Sequence, residues 1–269
     1  MIVDASGNIY LPRGLAGILK VTSAGAVSPW STGVIFDLTL SNSGDGFGAG
    51  GGQCHCIYRV QSNGTYSTFH QDTFDWSRIT LGADSVLYAM VWGIDGYGLY
   101  TIDELSGDPT VVIAGGPAAG TGNGVYYSME SGADGKLYVL GSLDGTRSGQ
   151  RMFRLDGSQL TIVANPPHGG GALALGPNGL FYISTGYDPG TGNPIGEIWI
   201  VDPSDGASSL LATSSPFIGQ LHPTFGALHF DPNTATLYVM EEYKLWAIKK
   251  DPTPAIRNSW GAIKAQYRR

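Results

Sequence analysis

The stretch GGGALALGPNGLFYISTG, residues 169–186, reads as a compact unit of two strands. A short apolar run at 172–175 is followed by a tight turn at 176–179 and a second apolar run at 180–184. Glycine, proline and asparagine between two apolar runs are typical of a turn that joins paired strands. Because a two-stranded hairpin is only marginally stable in water, a chain that repeats this unit has to stack the copies.

Aligning the chain on the aromatic residue of the second strand reveals five further copies of the unit. The aligned aromatic residues, called anchors below, are Tyr10, Phe47, Tyr88, Tyr138, Tyr182 and Tyr238. Their spacings of 37 to 56 residues lie around the period of a four-stranded propeller blade. A third strand follows each copy, most third strands lead into a hairpin turn, and several short fourth strands follow. The sequence therefore predicts an all-β fold, a six-bladed β-propeller of four-stranded antiparallel blades in one domain. The expected blades span residues 1–33, 34–72, 73–115, 124–165, 168–213 and 222–269.

Composition supports this fold and excludes some partners. The chain has 41 glycines, and only 14% of its residues are charged, which suits many short strands joined by tight turns. A formal net charge of −7 lacks the basic footprint of a nucleic-acid-binding protein. No apolar run has the length of a membrane span. The first residues do not form a signal peptide, and abundant glycine, serine and threonine favour a mature secreted or periplasmic protein over a cytoplasmic one.

The two ends of the chain leave the closure of the ring open. The first copy lacks most of its inner strand, whereas residues 261–265 resemble 171–175. We therefore expect residues 255–260 to form the last fourth strand and residues 261–265 to complete blade one by strand exchange. A terminal helix over residues 262–266 is the competing interpretation, because this segment contains good helix formers.

Cys54 and Cys56 are the only cysteines, and they flank His55. In an extended strand, residues two apart have Cα atoms near the upper limit for a disulfide. We therefore expect two reduced thiols at the start of a strand. A soft-metal site completed by His55 is the alternative.

The pattern of an apolar strand, a D-x-x-G-N-I-Y turn and a strand such as ILKV resembles the NHL and SMP-30/gluconolactonase-like group of propellers. MIVDASGNIYL, residues 1–11, is the closest match. This group includes lactonases, lyases, sugar dehydrogenases and binding modules, so the resemblance implies a fold and leaves the activity open. The calcium ligands that it implies, a Glu, an Asn and an Asp, are incomplete here: the first inner strand has no Glu, and Asn123 is the one natural Asn candidate.

Loop lengths single out one face of the propeller, called the top face below. Turns between first and second strands are short and alike, whereas loops between second and third strands are longer and dissimilar. Variable loops on a rigid scaffold commonly carry binding. These loops contain aromatic rings beside carboxylates, which suit a small molecule or a carbohydrate. Candidate ligand-binding residues on this face and at the channel mouth are Asp37, Trp76, Trp92, Tyr97, Tyr127, Arg147, Tyr187 and Glu242.

Connections between blades reach the central channel on the same face. Just before the predicted inner strands lie Asp37, Asp75, His168 and His222. Two imidazoles and two carboxylates could bind a divalent ion, calcium or zinc, or divide the roles of general acid and base. The sequence therefore nominates Asp75, His168 and His222 as catalytic residues and the two histidines as metal ligands. The alternative is that such residues only cap neighbouring backbone N–H groups.

Two functions follow. The first is a binding propeller that recognises a small molecule or glycan on the top face and in the channel. The second is a metal-assisted hydrolase or lyase that acts on a small substrate through the axial Asp and His residues. The oligomeric state is not predicted.

Overall fold

A computed structural model contains six antiparallel sheets of four strands each. The structure describes residues 1–41, 44–51, 54–91, 98–114, 125–142, 150–166, 171–187, 194–213, 228–241, 244–250 and 260–263. No helix in these ranges is long and apolar enough to cross a lipid bilayer. The predicted all-β, six-bladed propeller is confirmed.

Each blade is built from four strands that follow one another in the chain. Blade one contains β1 (Ile2–Val3), β2 (Ile9–Pro12), β3 (Ile18–Val21) and β4 (Val27–Ser31). Blade two contains β5 (Asp37–Leu40), β6 (Gly46–Ala49), β7 (Cys56–Val60) and β8 (Tyr66–Gln71). Blade three contains β9 (Trp76–Leu81), β10 (Leu87–Val91), β11 (Gly98–Ile102) and β12 (Pro109–Ile113). Blade four contains β13 (Val125–Ser131), β14 (Leu137–Ser142), β15 (Gln150–Asp156) and β16 (Gln159–Ala164). Blade five contains β17 (Leu173–Leu175), β18 (Phe181–Tyr187), β19 (Pro194–Val201) and β20 (Ser208–Thr213). Blade six contains β21 (Leu228–Asp231), β22 (Thr236–Glu241), β23 (Lys244–Lys250) and β24 (Trp260–Ile263).

The hairpin that organises the sequence forms as predicted. A single 3-10 turn, Pro177–Gly179, joins β17 to β18, and Asn178 adopts a left-handed backbone with φ of 58°. Asparagine tolerates that conformation better than most residues. The same hairpin begins every blade, so its residues explain the repeat.

A glycine before each of three anchors provides room for the anchor ring. A Cβ atom on Gly176 would lie 2.6 Å from the ring of Tyr182, and one on Gly132 would lie 2.4 Å from the ring of Tyr138. Such separations are too short for a real side chain, so the tyrosine packs directly on the glycine backbone. The fixed spacing between this glycine and the anchor tyrosine therefore follows from the packing of the ring on the glycine backbone.

Aspartates in the first turn bind three of the anchor hydroxyls. Tyr10 donates to Asp4, Tyr88 to Asp84 and Tyr138 to Asp134, each with an oxygen–oxygen distance of 3.0 Å. Burial and this bond raise the pKa of Tyr88 and of Tyr138 to about 12. The D-x-x-G-N-I-Y pattern thus reflects a bond that ties the turn to the second strand.

The core is divided among the six junctions between neighbouring blades. Each hydrophobic cluster of buried residues joins two adjacent blades; one, for example, places Phe47 of blade two against Trp76 of blade three. The junction between blades six and one contains Met1, Ile9, Leu11, Val21 and Leu245. Burial of these side chains is the main favourable contribution to closing the ring.

Closure differs from the sequence-based expectation. Strand β1 pairs with β2 as the inner strand of blade one, while β24 pairs with β23 as the outermost strand of blade six. The strand exchange predicted for residues 261–265 is therefore wrong. Ile2 and Val3 already provide the missing inner strand. Apolar side chains of blade one pack with Leu245 of blade six at this junction.

Candidate functional site

The six inner strands, β1, β5, β9, β13, β17 and β21, contact one another in a closed ring around the axis. Polar side chains connect neighbours in this ring: Thr39 accepts a hydrogen bond from the backbone N–H of Leu81, and Ser128 accepts one from Leu173. The inner strands therefore form a rigid frame for any group that they carry.

One position of this frame lies directly opposite the anchor residue in every blade. The residues at this position, called the anchor-opposed ring below, are Ile2, Thr39, Thr80, Glu130, Ala174 and His229. Four of the six are apolar or carry a hydroxyl, and two are ionisable. Glu130 and His229 belong to blades four and six, with the small Ala174 of blade five between them.

Charged groups of several blades meet around the same axis. Glu130 of blade four interacts electrostatically with Asp37 of blade two, and buried Arg78 of blade three interacts with that same carboxylate. The amino group of Met1 interacts with both Glu130 and His229. These couplings join five of the six blades, so the groups share one region near the axis.

Burial changes the protonation of both ionisable ring members. Desolvation, with a further contribution from the charge of Asp37, raises the pKa of Glu130 to about 7. Desolvation, with the positive charge of the Met1 amino group, lowers the pKa of His229 to about 4. Near neutrality the imidazole is uncharged and a large share of the carboxyl carries its proton, so each group offers a hydrogen-bond donor and an acceptor.

Asp37 has a structural bond within this frame. Its Oδ2 accepts a hydrogen bond from the backbone N–H of Ile79 over 3.2 Å, which links blades two and three. This contact is the capping arrangement that the sequence left as an alternative to a functional role. The other carboxylate nominated from the sequence, Asp75, has a different partner.

Asp75 lies on the top face against His55. The distance between His55 Nδ1 and Asp75 Oδ1 is 2.7 Å, and both side chains are partly exposed. The backbone carbonyl of His55 also accepts a hydrogen bond from the N–H of Asp72 over 3.1 Å. The second-to-third strand loop of blade two is thereby fixed to the connection between blades two and three.

Cys54 and Cys56 form a disulfide, which corrects the expectation of two reduced thiols. That expectation assumed an extended strand, in which the two Cα atoms would be far apart. His55 instead adopts a positive φ of 50°, and the Cα atoms of its neighbours lie 5.2 Å apart, within the usual range for a disulfide. Neither thiol is available for the alternative soft-metal site.

Trp76 is part of the core between blades two and three rather than an exposed platform. Its side chain is fully buried, and its Nε1 donates to Asp72 Oδ1 over 3.1 Å. His70 Nε2 lies 2.9 Å from the other oxygen of the same carboxylate. A ring with no exposed surface has no face for a ligand, so we assign Trp76 to the scaffold.

The remaining nominated residues lie outside the described part of the chain or have undescribed side chains. Tyr127 falls in β13, at a break in the register between Tyr126 and Ser128, and Tyr187 ends β18. The residues outside the described ranges are Trp92, Tyr97, Arg147, His168, His222 and Glu242.

Sequence reasoning missed Glu130, Arg78 and His229, although one signal could have found two of them. Anchor alignment identifies the second strand, and a tight hairpin sets which inner-strand residue lies opposite each anchor. Comparing the residue opposite the anchor in all six blades gives the anchor-opposed ring and its two ionisable members. Arg78 lies two residues before this position, where no comparable pattern stands out.

A metal remains a prediction from the sequence. Within the described ranges, no three His, Cys, Asp or Glu side chains lie close enough to share an ion. The nominated ligands His168 and His222 lie outside those ranges.

Comparison with known proteins supports the fold. No protein-family profile matches the chain, and neither does any curated protein sequence. Among solved structures, a gluconolactonase from Xanthomonas campestris superimposes with a TM-score of 0.66 at 12% identity, covering 90% of this chain and 82% of that one. Virginiamycin B lyase from Staphylococcus aureus gives a TM-score of 0.59 at 16% identity, covering 90% and 76%.

A chain of a nidogen/laminin complex is also similar, with a TM-score of 0.66 at 13% identity over 90% of this chain and 89% of that one. These identities establish a shared fold only. The resemblance to the NHL and SMP-30/gluconolactonase-like group is confirmed at that level.

Proposed function

We propose that this propeller binds a small, uncharged, hydroxyl-bearing molecule, a sugar or short glycan, at the axis and on the top face. The observation that carries the proposal is the anchor-opposed ring, in which Glu130 and His229 replace the apolar or hydroxyl residues of the other blades. Both residues are half-buried, and a desolvated ionisable group is costly for the fold unless something compensates it. Because the small Ala174 holds the equivalent position of blade five, between them in blade order, a ligand could reach both hydrogen-bonding groups.

The chemistry of these two groups favours an uncharged ligand. A protonated Glu130 donates one hydrogen bond and accepts others, and a neutral His229 does the same. Sugar hydroxyls also donate and accept, so they can satisfy both groups without bringing a charge into a desolvated site. An anion or a cation would have to lose its hydration there, which costs several kcal/mol per ion.

Thermal-shift measurements on a matched set of sugars test this proposal. Glucose, N-acetylglucosamine and cellobiose are neutral probes, while glucuronate and glucosamine carry a charge on a similar frame. We expect at least one neutral probe to raise the melting temperature and to lose that effect in Glu130→Ala and His229→Phe, which remove the hydrogen-bonding groups. Retention of the shift in both variants, or a shift from the charged probes alone, would contradict the proposal.

A second candidate, proton-transfer catalysis, is favoured by the opposite pKa displacements of Glu130 and His229. Paired groups whose pKa values are driven apart are typical of a general acid and a general base. On this account Glu130 delivers a proton and His229 accepts one during hydrolysis or elimination of a small substrate. Turnover of a lactone or ester panel that disappears in either variant would support this function.

The metal-assisted form of the second candidate depends on His168 and His222. Metal analysis of protein purified without an affinity tag tests it. Stoichiometric zinc or calcium that is lost in a His168→Ala, His222→Ala double variant would support a metal. Metal-free protein with full activity would count against it. A secreted or periplasmic location, where disulfides persist, remains our proposal for the compartment.

A further inference from the structure

The segment around His55 is constrained by the disulfide on both of its sides. The bond between Cys54 and Cys56 closes a small ring across this single residue. His55 adopts the left-handed backbone, with φ of 50°, that side chains other than glycine seldom occupy. A ring of this size permits few backbone conformations, so the disulfide and the unusual backbone of His55 form one constraint.

The neighbouring loop is shaped around the two sulfur atoms. A Cβ atom on Gly50 would lie 2.6 Å from Cys54 Sγ and 2.9 Å from Cys56 Sγ. The backbone N–H of Gly50 also donates to the carbonyl of Cys56 over 2.9 Å. Glycine is therefore required at this position by the bridge itself, so the disulfide is integral to the packing of the loop.

The constrained residue is the one that reaches Asp75. With Nδ1 2.7 Å from the carboxylate, the imidazole faces Asp75 through one nitrogen and leaves Nε2 for other partners. The contact is of the ion-pair type, between an imidazole nitrogen and a carboxylate oxygen. The disulfide thus constrains the position of a partly exposed histidine that contacts a carboxylate.

The two cysteine residues differ in exposure. Cys56 is buried, whereas Cys54 is partly exposed at the edge of the loop. Thiol–disulfide exchange needs an approach to one sulfur atom only. An incoming thiolate can therefore attack Cys54 while Cys56 leaves.

We propose that the Cys54–Cys56 disulfide is a redox-controlled clamp that holds His55 against Asp75 on the top face, and that a dithiol reductant releases the imidazole. One thiolate of the dithiol attacks Cys54 Sγ, the S–S bond breaks, and Cys56 leaves as a thiolate that takes up a proton. The second thiol of the reductant then resolves the mixed disulfide and leaves Cys54 as a thiol. The protein gains two electrons and two protons, and the dithiol becomes a disulfide.

Release of the clamp changes the position of the His55 imidazole on the top face. The oxidised protein holds the partly exposed imidazole against Asp75, where it can meet a ligand hydroxyl, and this consequence alone rests on the proposed function. After reduction, His55 can leave the left-handed region, and the contact with Asp75 loosens. The clamp itself is a property of the protein without ligand and can be tested without one.

Long-range ¹H–¹⁵N spectra of the histidine rings, recorded on the full chain before and after excess dithiothreitol, test the clamp. A thiol count by mass spectrometry verifies the redox state of each sample. We expect the ring signals of His55 to differ between oxidised and reduced protein, because reduction releases the imidazole from Asp75. His70 is an internal control, because its contact with Asp72 involves no disulfide.

The Cys54→Ser, Cys56→Ser double variant should match the reduced protein under both conditions; if it fails to fold, chemical reduction of the natural chain decides. An unchanged His55 signal after verified reduction would overturn the clamp. So would a bridge that resists dithiothreitol in the folded protein, or simultaneous loss of the His70 signal through unfolding. Failure of every sugar to bind would refute the proposed function and leave this result unaffected.

Discussion

Glu130 and His229 occupy the same register position in two different blades, opposite the anchors Tyr138 and Tyr238. The repeat therefore places an acid and an imidazole at equivalent points around one axis. The equivalent position of blade five, which comes between them in blade order, is Ala174. Desolvation moves the two pKa values in opposite directions, because it disfavours the charged form of each group.

Replacing Glu130 by glutamine should stabilise the protein at high pH. The folded pKa of about 7 lies above the ordinary value of 4.5, so the natural side chain loses its contribution to stability as pH rises from 4.5 through 7. We expect Glu130→Gln to be more stable by about 1 to 3 kcal/mol above pH 7, with the gain vanishing below pH 4.5. Glutamine can still accept the bond from the N–H of Ser131.

Urea unfolding from pH 4 to pH 9 measures this gain. Asp108→Asn is the matched control, because Asp108 is an exposed carboxylate on a turn between outer strands. Equal stability of Glu130→Gln and the natural protein at pH 8 would contradict the desolvated position of the carboxyl.

Replacing His229 should flatten the acid side of the stability profile. Its folded pKa of about 4 lies below the ordinary 6.5, so the stability that it contributes is present above pH 6.5 and lost as pH falls through 4. His229→Gln and His229→Asn both lack this ionisation but differ in size. A shared flattening between pH 6.5 and 4 in thermal melts would identify the buried charge as the cause, whereas an unaltered slope in both variants would refute it.

Loss of an anchor hydroxyl should cost little more than one hydrogen bond. We expect Tyr138→Phe to lower the free energy of unfolding by about 0.5 to 1.5 kcal/mol, because the bond to Asp134 is lost. Phe47 at the equivalent place in blade two shows that the ring alone suits the fold. Tyr66→Phe, on an exposed part of an outer strand, is the control for denaturant unfolding. A loss for Tyr138→Phe no larger than the control's would mean that the bond contributes nothing.

A side chain on Gly50 should conflict specifically with the disulfide. We expect Gly50→Ala to destabilise the natural chain by roughly 1 to 3 kcal/mol, as overpacking usually does. In the Cys54→Ala, Cys56→Ser background the sulfur atoms are gone, so the same change should cost less. A double-mutant cycle measures the difference. If Gly50→Ala lowers the free energy of unfolding equally in the two backgrounds, the added methyl group does not conflict with the disulfide.

The architecture could be predicted because its causes are local and repeated. Each blade needs a turn, a glycine and an anchor ring at fixed spacing, so Tyr88, Tyr138 and Tyr182 carry the same signal three times. Closure was harder, since the inner strand of blade one is only Ile2 and Val3. Their pairing with β2 depends on apolar contacts to Leu245, more than 200 residues away in the chain, that no local pattern reveals.

The site could be predicted only in part, for a related reason. Asp75 was visible before an inner strand and His55 between two cysteines, but their contact accompanies the left-handed backbone of His55, which the sequence did not predict. Glu130 and His229 lie inside strands, where ionisable residues usually face solvent. Only the register, through the anchors, shows that both occupy the same position in the ring of inner strands.

Calorimetric titration with the neutral sugar that gives the largest thermal shift, at pH 6 and at pH 8.5, shows whether protonated Glu130 binds the ligand. If protonated Glu130 donates to the ligand, affinity falls by at most about tenfold per pH unit above its pKa of about 7, and Glu130→Gln abolishes this dependence. Affinity that is independent of pH in the natural protein, or equally dependent on pH in the variant, would contradict a ligand held by Glu130 at the axis.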